Sequence, residues 1–180
     1  MGQALLLTGR PGVGKTTVIR RVVAGLGTGA GGFYTDEIRE HERRTGFRLV
    51  TLDGEAGILA GVNISSPHRV GRYKVDLDDL EQVGVKAVLR AVEQRDVALV
   101  VIDEIGKMEL LSAAFCEAVL AALESPKAVL ATVMARPQPW VDGIKARPEV
   151  TLIEVTRSNR EAVPEQILRW VRQTQGETVP

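Results

Sequence analysis

The chain has 180 residues, a length that fits one domain at roughly 100–200 residues per domain, and its 23 basic side chains balance 23 acidic ones. Zero net charge argues against a dedicated nucleic-acid or membrane-surface binder, 4% aromatics against stacking platforms for single strands, and 44% hydrophobic residues against disorder. A lone cysteine, Cys116, excludes a disulfide framework, and His41 and His68 are too few for a zinc site; without an apolar run of membrane-span length or signal-peptide flanks, a cytoplasmic protein is expected.

The N-terminus reads strand, glycine-rich loop, helix. Gln3–Thr8 is a short apolar run suited to a buried parallel strand, Gly9–Gly14 forms the loop, and Lys15–Leu26 is helical. Five glycines between Gly25 and Gly32 predict a connection. Phe47–Leu52 and Ile58–Ala60 read as strands set off by turn signals at Thr45-Gly46 and Asp53-Gly54-Glu55, so residues 32–62 form an antiparallel meander within an otherwise α/β chain. Residues 63–73 are irregular, with Arg72–Leu77 as a further strand; the whole insertion covers about 32–75 of a single domain, 1–180.

Helical spacing runs from Asp78 to Arg95, weakened at Gly84. Val97–Ile102, six apolar residues in succession, is the strongest buried strand, and it ends on Asp103-Glu104. Ser112 is placed to cap a helix reaching Glu124, Ala128–Val133 is another strand, and a proline-punctuated loop passes Pro137 and Pro139. Val150–Val155 is the last strand, and a helix from near Val163 to about Thr174 closes the chain. Alternating strands and helices predict a mainly parallel sheet covered on both faces.

Gly9-Arg10-Pro11-Gly12-Val13-Gly14-Lys15-Thr16 satisfies G-x-x-x-x-G-K-[ST] at every position. The glycines let the backbone curl and aim amide N–H groups at phosphate oxygens. The following helix adds its positive dipole end, Lys15 supplies a point charge for the β- and γ-phosphates, and Thr16 offers a hydroxyl to Mg²⁺. Such a site needs an acid at the end of a neighbouring strand, and Asp103 supplies it as a second Mg²⁺ partner. Glu104, beside it, is suited to polarise an attacking water, which is what hydrolysis requires.

Three strings make the resemblance specific: Gly9 through Thr17, Gly32-Phe33-Tyr34-Thr35-Asp36-Glu37-Ile38-Arg39, and Asp103-Glu104-Ile105-Gly106-Lys107-Met108-Glu109-Leu110. With Thr45-Gly46-Phe47 and Asn159-Arg160, they resemble the thermostable nucleoside-triphosphatase family, known in vertebrates as cancer-related nucleoside-triphosphatase, over nearly the whole chain. The resemblance implies a three-layer P-loop NTPase sandwich and Mg²⁺-dependent hydrolysis of ATP, GTP, CTP or UTP to diphosphate and phosphate with weak base selectivity. Asp36 stands where the family pattern has glutamate, a conservative departure.

Other polar residues carry less weight. Lys107 is a candidate to reach the γ-phosphate as charge develops there. Arg39, Arg43, Arg44, Arg48, Arg69 and Arg72 are candidate arginine fingers, most of which must be surface cations. Ile105-Gly106 completes a D-x-x-G string after Asp103, but no N-K-x-D follows to read guanine, and Thr156–Arg160 is a candidate border of the base. Cys116 reads as a small buried hydrophobe, His41 and His68 as exposed, and Trp140 and Trp170 as packing anchors. No nucleic-acid, membrane or obligate protein partner is expected. Two rival readings fit the same loop: a small nucleoside or nucleotide kinase, and a nucleotide-binding switch module.

Overall fold

A computed structural model describes residues 2–176. Its sheet has nine strands in the order β5-β6-β4-β3-β2-β7-β8-β1-β9. β1 (Ala4–Thr8), β2 (Ala30–Glu40), β7 (Leu99–Ile105), β8 (Ala128–Val133) and β9 (Val150–Glu154) run parallel. The meander continues the same sheet beyond β2, through β3 (Arg43–Thr51), β4 (Ala56–Gly61), β6 (Tyr73–Val75) and the short β5 (Arg69–Val70), all antiparallel.

Period-two alternation in the buried strands feeds two cores. Leu5, Leu7, Leu99, Val101 and Leu130 face α1 (Lys15–Leu26) and the C-terminal helix α6 (Val163–Thr174), meeting Ile19, Val22, Ile167 and Val171. Leu6, Val100, Ile102, Val129 and Ala131 face the opposite layer and meet Phe33, Leu80, Val88, Phe115 and Val119. That layer holds α2 (Leu77–Asp79), which runs through a π-helical segment, Leu80–Val85, into α3 (Lys86–Glu93), then α4 (Ala113–Glu124) and α5 (Pro139–Lys145). The three layers are those of a phosphate-loop α/β sandwich. Among the described residues, no helix is long and apolar enough to cross a membrane.

Several boundaries differ from the sequence reading. Gly31 and Gly32 belong to β2 and Gly25 to α1, so the glycine-rich stretch is only in part a connection. At Gly32 φ is +110°, and a Cβ would stand 2.0 Å from the Val101 carbonyl oxygen, so close pairing of β2 with β7 is what requires the glycine. Thr45-Gly46 lies inside β3; the hairpin turns instead at His41-Glu42, both at positive φ as a type I′ turn requires. Pro139 starts α5, where its missing N–H would have lacked an intrahelical partner anyway, and Gln138 caps Val141 N–H at 2.8 Å. The predicted strand 72–77 is confined to Tyr73–Val75, while Arg69–Val70 pairs within the stretch read as irregular. Ser112 caps α4 as expected, its hydroxyl accepting from Phe115 N–H at 3.0 Å.

Candidate active site

The phosphate loop joins the carboxyl end of β1 to α1, beneath the last residues of β9. Gly9 is fixed there by contact: a Cβ would lie 2.5 Å from the Val155 carbonyl oxygen, while Val155 N–H donates to Thr8 O at 2.8 Å. Arg10, Pro11 and Gly12 are exposed at the crest of the loop, Val13 is buried beneath it, and Gly14 turns into the helix at φ +108°. Thr16 is half-buried and Thr17, one residue on, is exposed.

β7 extends further than the apolar run, so Asp103 and Glu104 sit within the strand and not after it. The Asp103–Glu104 peptide bond is cis. Asp103 is buried; its Oδ2 accepts the Thr16 hydroxyl at 2.7 Å, its Oδ1 accepts the Thr132 hydroxyl from β8, and the Thr35 backbone N–H points at it. Burial pushes the Asp103 carboxyl above the usual carboxylate range, against the pull of these donors and of Lys15. Lys15 Nζ donates to Gly9 O at 3.2 Å and lies 3.9 Å from Glu104 Oε2. Burial also raises the Glu104 carboxyl, opposed by the Lys15 charge and reinforced by that of Asp103. One ammonium therefore serves two carboxylates until an anion enters the loop.

The two oxygens of Thr16 and Asp103, one a hydroxyl and one an anionic carboxylate, suit a hard cation that keeps several waters and shares phosphate oxygens. Their 2.7 Å contact holds both on one spot beside Lys15. Ile105 and Gly106 are buried below the site, whereas Lys107 is exposed and joins no ion pair among the described residues.

The arginine candidates fall elsewhere. Arg48 pairs with Asp36 at 3.1 Å, Arg39 and Arg44 pair with Glu37 at 2.6 and 2.7 Å, and Arg69 bonds to Gly71 O at 2.8 Å. Arg44 and Arg72 both donate to the Tyr73 hydroxyl, at 3.1 and 2.9 Å. Asp36, at the departure from the family pattern, is held between Arg20 of α1 and Arg48. Besides Arg10 within the loop, the arginine that packs against the phosphate loop is Arg160, whose Nη1 stands 3.5 Å from Val13 O and whose Cδ comes within 3.8 Å of the space beside Gly14. Sequence reasoning put the 156–160 segment at the base and gave Arg160 no phosphate role; its companions Thr156, Ser158 and Asn159 bond mainly to one another and to Glu154 O.

Glu109 is the other residue missed. It is 4% exposed at the start of a single 3₁₀ turn, Glu109–Leu111, and burial lifts its carboxyl to about 8, with the Glu104 charge adding to the lift. Cys116 is half-buried, less enclosed than expected, with its thiol raised by burial. Trp140 and Trp170 pack against the two cores, and His41 and His68 are exposed.

A glycine-rich turn between a buried strand and a helix, with a hydroxyl-bound acid on the adjacent strand, defines a nucleotide-binding α/β protein of the phosphate-loop class. The family described as NTPase matches residues 4–168. The chain is 48% identical over 173 residues to the nucleoside-triphosphatase THEP1 of Thermotoga maritima, covering 96% of this chain and 98% of that one. The crystal structure of THEP1 from Aquifex aeolicus superimposes with a TM-score of 0.84 at 37% identity, over 93% of this chain and 98% of that one. The solution structure of a human cancer-related nucleoside triphosphatase gives 0.82 at 38% identity, over 96% and 98%. The chain belongs to this nucleoside-triphosphatase family.

Proposed function

We propose that the protein hydrolyses nucleoside triphosphates to the diphosphate and phosphate, with Mg²⁺ as cofactor and little selection among ATP, GTP, CTP and UTP. The observation that carries the reading is the pairing of Glu104 Oε2 with Lys15 Nζ at 3.9 Å, at the mouth of the phosphate loop. A triphosphate in the loop draws Lys15 to its β- and γ-oxygens and frees the Glu104 carboxylate to accept a proton from water. The water oxygen forms the new bond to the γ-phosphorus, the bond to the bridging oxygen breaks, and the diphosphate keeps that oxygen. Thr16 and Asp103 would hold Mg²⁺, which would supply neutralising charge for the β- and γ-phosphates. Lys107, three residues beyond Glu104, and Arg160, beside Val13 O, are further cations offered to that charge.

Weak base selectivity is supported by the 156–160 segment. Its Thr156 N–H is taken by Asn159 Oδ1 at 2.8 Å, and Asn159 Nδ2 is taken by Glu154 O at 2.8 Å, so these polar groups are committed to the loop itself and to the end of β9.

Glu104→Gln keeps the shape of the side chain and removes its basicity. Its kcat for phosphate release is expected to fall by about 10²–10⁴-fold, the usual contribution of a general base, with Mg²⁺–triphosphate binding retained. Asp103→Asn is expected to raise the Mg²⁺ concentration needed for half-maximal rate as well. Single-turnover phosphate release alongside equilibrium nucleotide binding tests both. Near-normal hydrolysis by Glu104→Gln would remove it as the base, and release that depends on an added acceptor would favour a kinase.

A further inference from the structure

Asp103 and Glu109 are the buried acids among the described residues, and the reaction above employs only the first. Glu109 stands where β7 gives way to α4, with the backbone N–H groups of Gly106 and of Glu109 pointing at its carboxyl. Gly106 separates it from Glu104. A Cβ on Gly106 would lie 2.9 Å from Glu104 Oε1 and 3.0 Å from Glu109 Oε2, so both carboxyls converge on the one face of Gly106 that carries only hydrogen. Their facing oxygens are therefore at most about 6 Å apart, a gap that one bridging water can span.

The two oxygens of Glu104 thus face different sides: Oε2 toward Lys15, Oε1 toward Glu109. A triphosphate that draws Lys15 away leaves Glu104 facing only the second. We propose that Glu109 is a positioning residue for hydrolysis, keeping the Glu104 carboxylate turned toward the phosphate loop from behind Gly106. This rests on Glu104 being the base. Glu104 and Asp103 from β7 act on Glu109 as charged neighbours, and Lys15 of α1 lies beyond Glu104. In that acidic setting a buried carboxyl that keeps its proton offers an O–H donor where a second carboxylate would only repel.

The test compares wild type, Glu109→Met, Glu109→Gln, Glu104→Gln and the Glu104→Gln/Glu109→Met double variant, using MgATP and phosphate release. Met fills the space without a donor, so kcat should fall about 10- to 100-fold with KM changed less than about threefold, the mark of a misaimed group. Gln keeps both shape and donor and should restore most of the rate. The double variant should be no slower than Glu104→Gln alone, because Glu109 acts only through Glu104. Full activity in Glu109→Met, a KM rise that accounts for the loss, or losses that multiply in the double variant would overturn the proposal. Should Glu109→Met fail to fold, Glu109→Asp, which withdraws the carboxyl by one methylene, must show the same split or the proposal falls. Retained activity in Glu104→Gln alone would remove the base itself, a failure distinguishable from that of Glu109.

Discussion

Three carboxyls, Asp103, Glu104 and Glu109, crowd the end of β7 around the single ammonium of Lys15, and burial raises all three. The consequence for stability has a definite sign. Glu109 keeps its proton in the folded chain up to about pH 8 but loses it near 4.5 when unfolded. The folded state therefore binds more protons across that window, and its stability declines as pH rises from about 4.5 to 8. Glu109→Gln removes this dependence. Its melting temperature relative to wild type should rise with pH, with the two proteins close at pH 5 and the variant ahead at pH 9. Parallel curves from pH 5 to 9 would contradict a shifted Glu109. The phosphate loop, Asp103 and Glu104 were legible in the sequence because each occupies a fixed place in a strand–loop–helix or strand-end pattern. Glu109 was in plain view in the Asp103–Leu110 string yet carried no such mark, since its burial comes from packing between β7 and α4. Arg160 escaped for a similar reason: only the path of the chain after β9 brings it over Val13 and Gly14.

Strand β2 shows how an element can hide behind its composition. Its first residues, Ala30-Gly31-Gly32, look like linker, yet Gly31 and Gly32 pair with Val100 and Val101. A Cβ on Gly31 would meet Ala91 Cβ of α3 at 2.8 Å, and one on Gly32 the Val101 carbonyl oxygen at 2.0 Å. Small side chains here are a condition of close packing. Gly27, at φ +73° with nothing near its Cβ position, provides the contrast. Gly27→Ala should cost about 1 kcal/mol, the conformational penalty alone. Gly32→Ala adds a backbone clash and should cost at least about 3 kcal/mol, a drop of roughly 6–12 °C in melting temperature for a chain of this size. Equal melting temperatures for the two variants would show that β2 does not approach β7 this closely. The apolar strands β7 and β8 and the helices α1, α4 and α6 were readable because apolar runs and end residues mark them: Gly14 and Gly27 flank α1, Ser112 caps α4 and Pro164 opens α6. The His41-Glu42 hairpin and α5 were not: the first uses no Asn-Gly or Asp-Gly signal, and the second opens on a proline that reads as a loop residue.

At the scale of the molecule, the candidate site exists only in the folded chain. Gly9–Thr16 comes from the first strand–helix connection, Asp103 and Glu104 from β7, Thr132 from β8 and Arg160 from the segment before α6, and the parallel order β7-β8-β1-β9 gathers them. An unfolded chain holds these groups far apart and cannot bind a triphosphate, so nucleotide must shift unfolding by mass action. At a free concentration 100 times Kd the shift is about 2.7 kcal/mol, or roughly 5–10 °C for a domain of this length. The Glu104→Gln protein is the right host, because it should bind the triphosphate without consuming it. ATP, GTP, CTP and UTP with Mg²⁺ should each raise its melting temperature by similar amounts, since the proposed contacts go to phosphates and metal. Chelating Mg²⁺ should shrink the shift, and adding Lys15→Ala should nearly abolish it by leaving the β- and γ-phosphates without their ammonium. Scanning calorimetry with the four nucleotides at matched saturation separates the possibilities. A shift confined to one base would contradict the broad-substrate reading and send the search for base contacts back to the 156–160 loop. A shift that survives Lys15→Ala would place the triphosphate somewhere other than the Gly9–Thr16 loop.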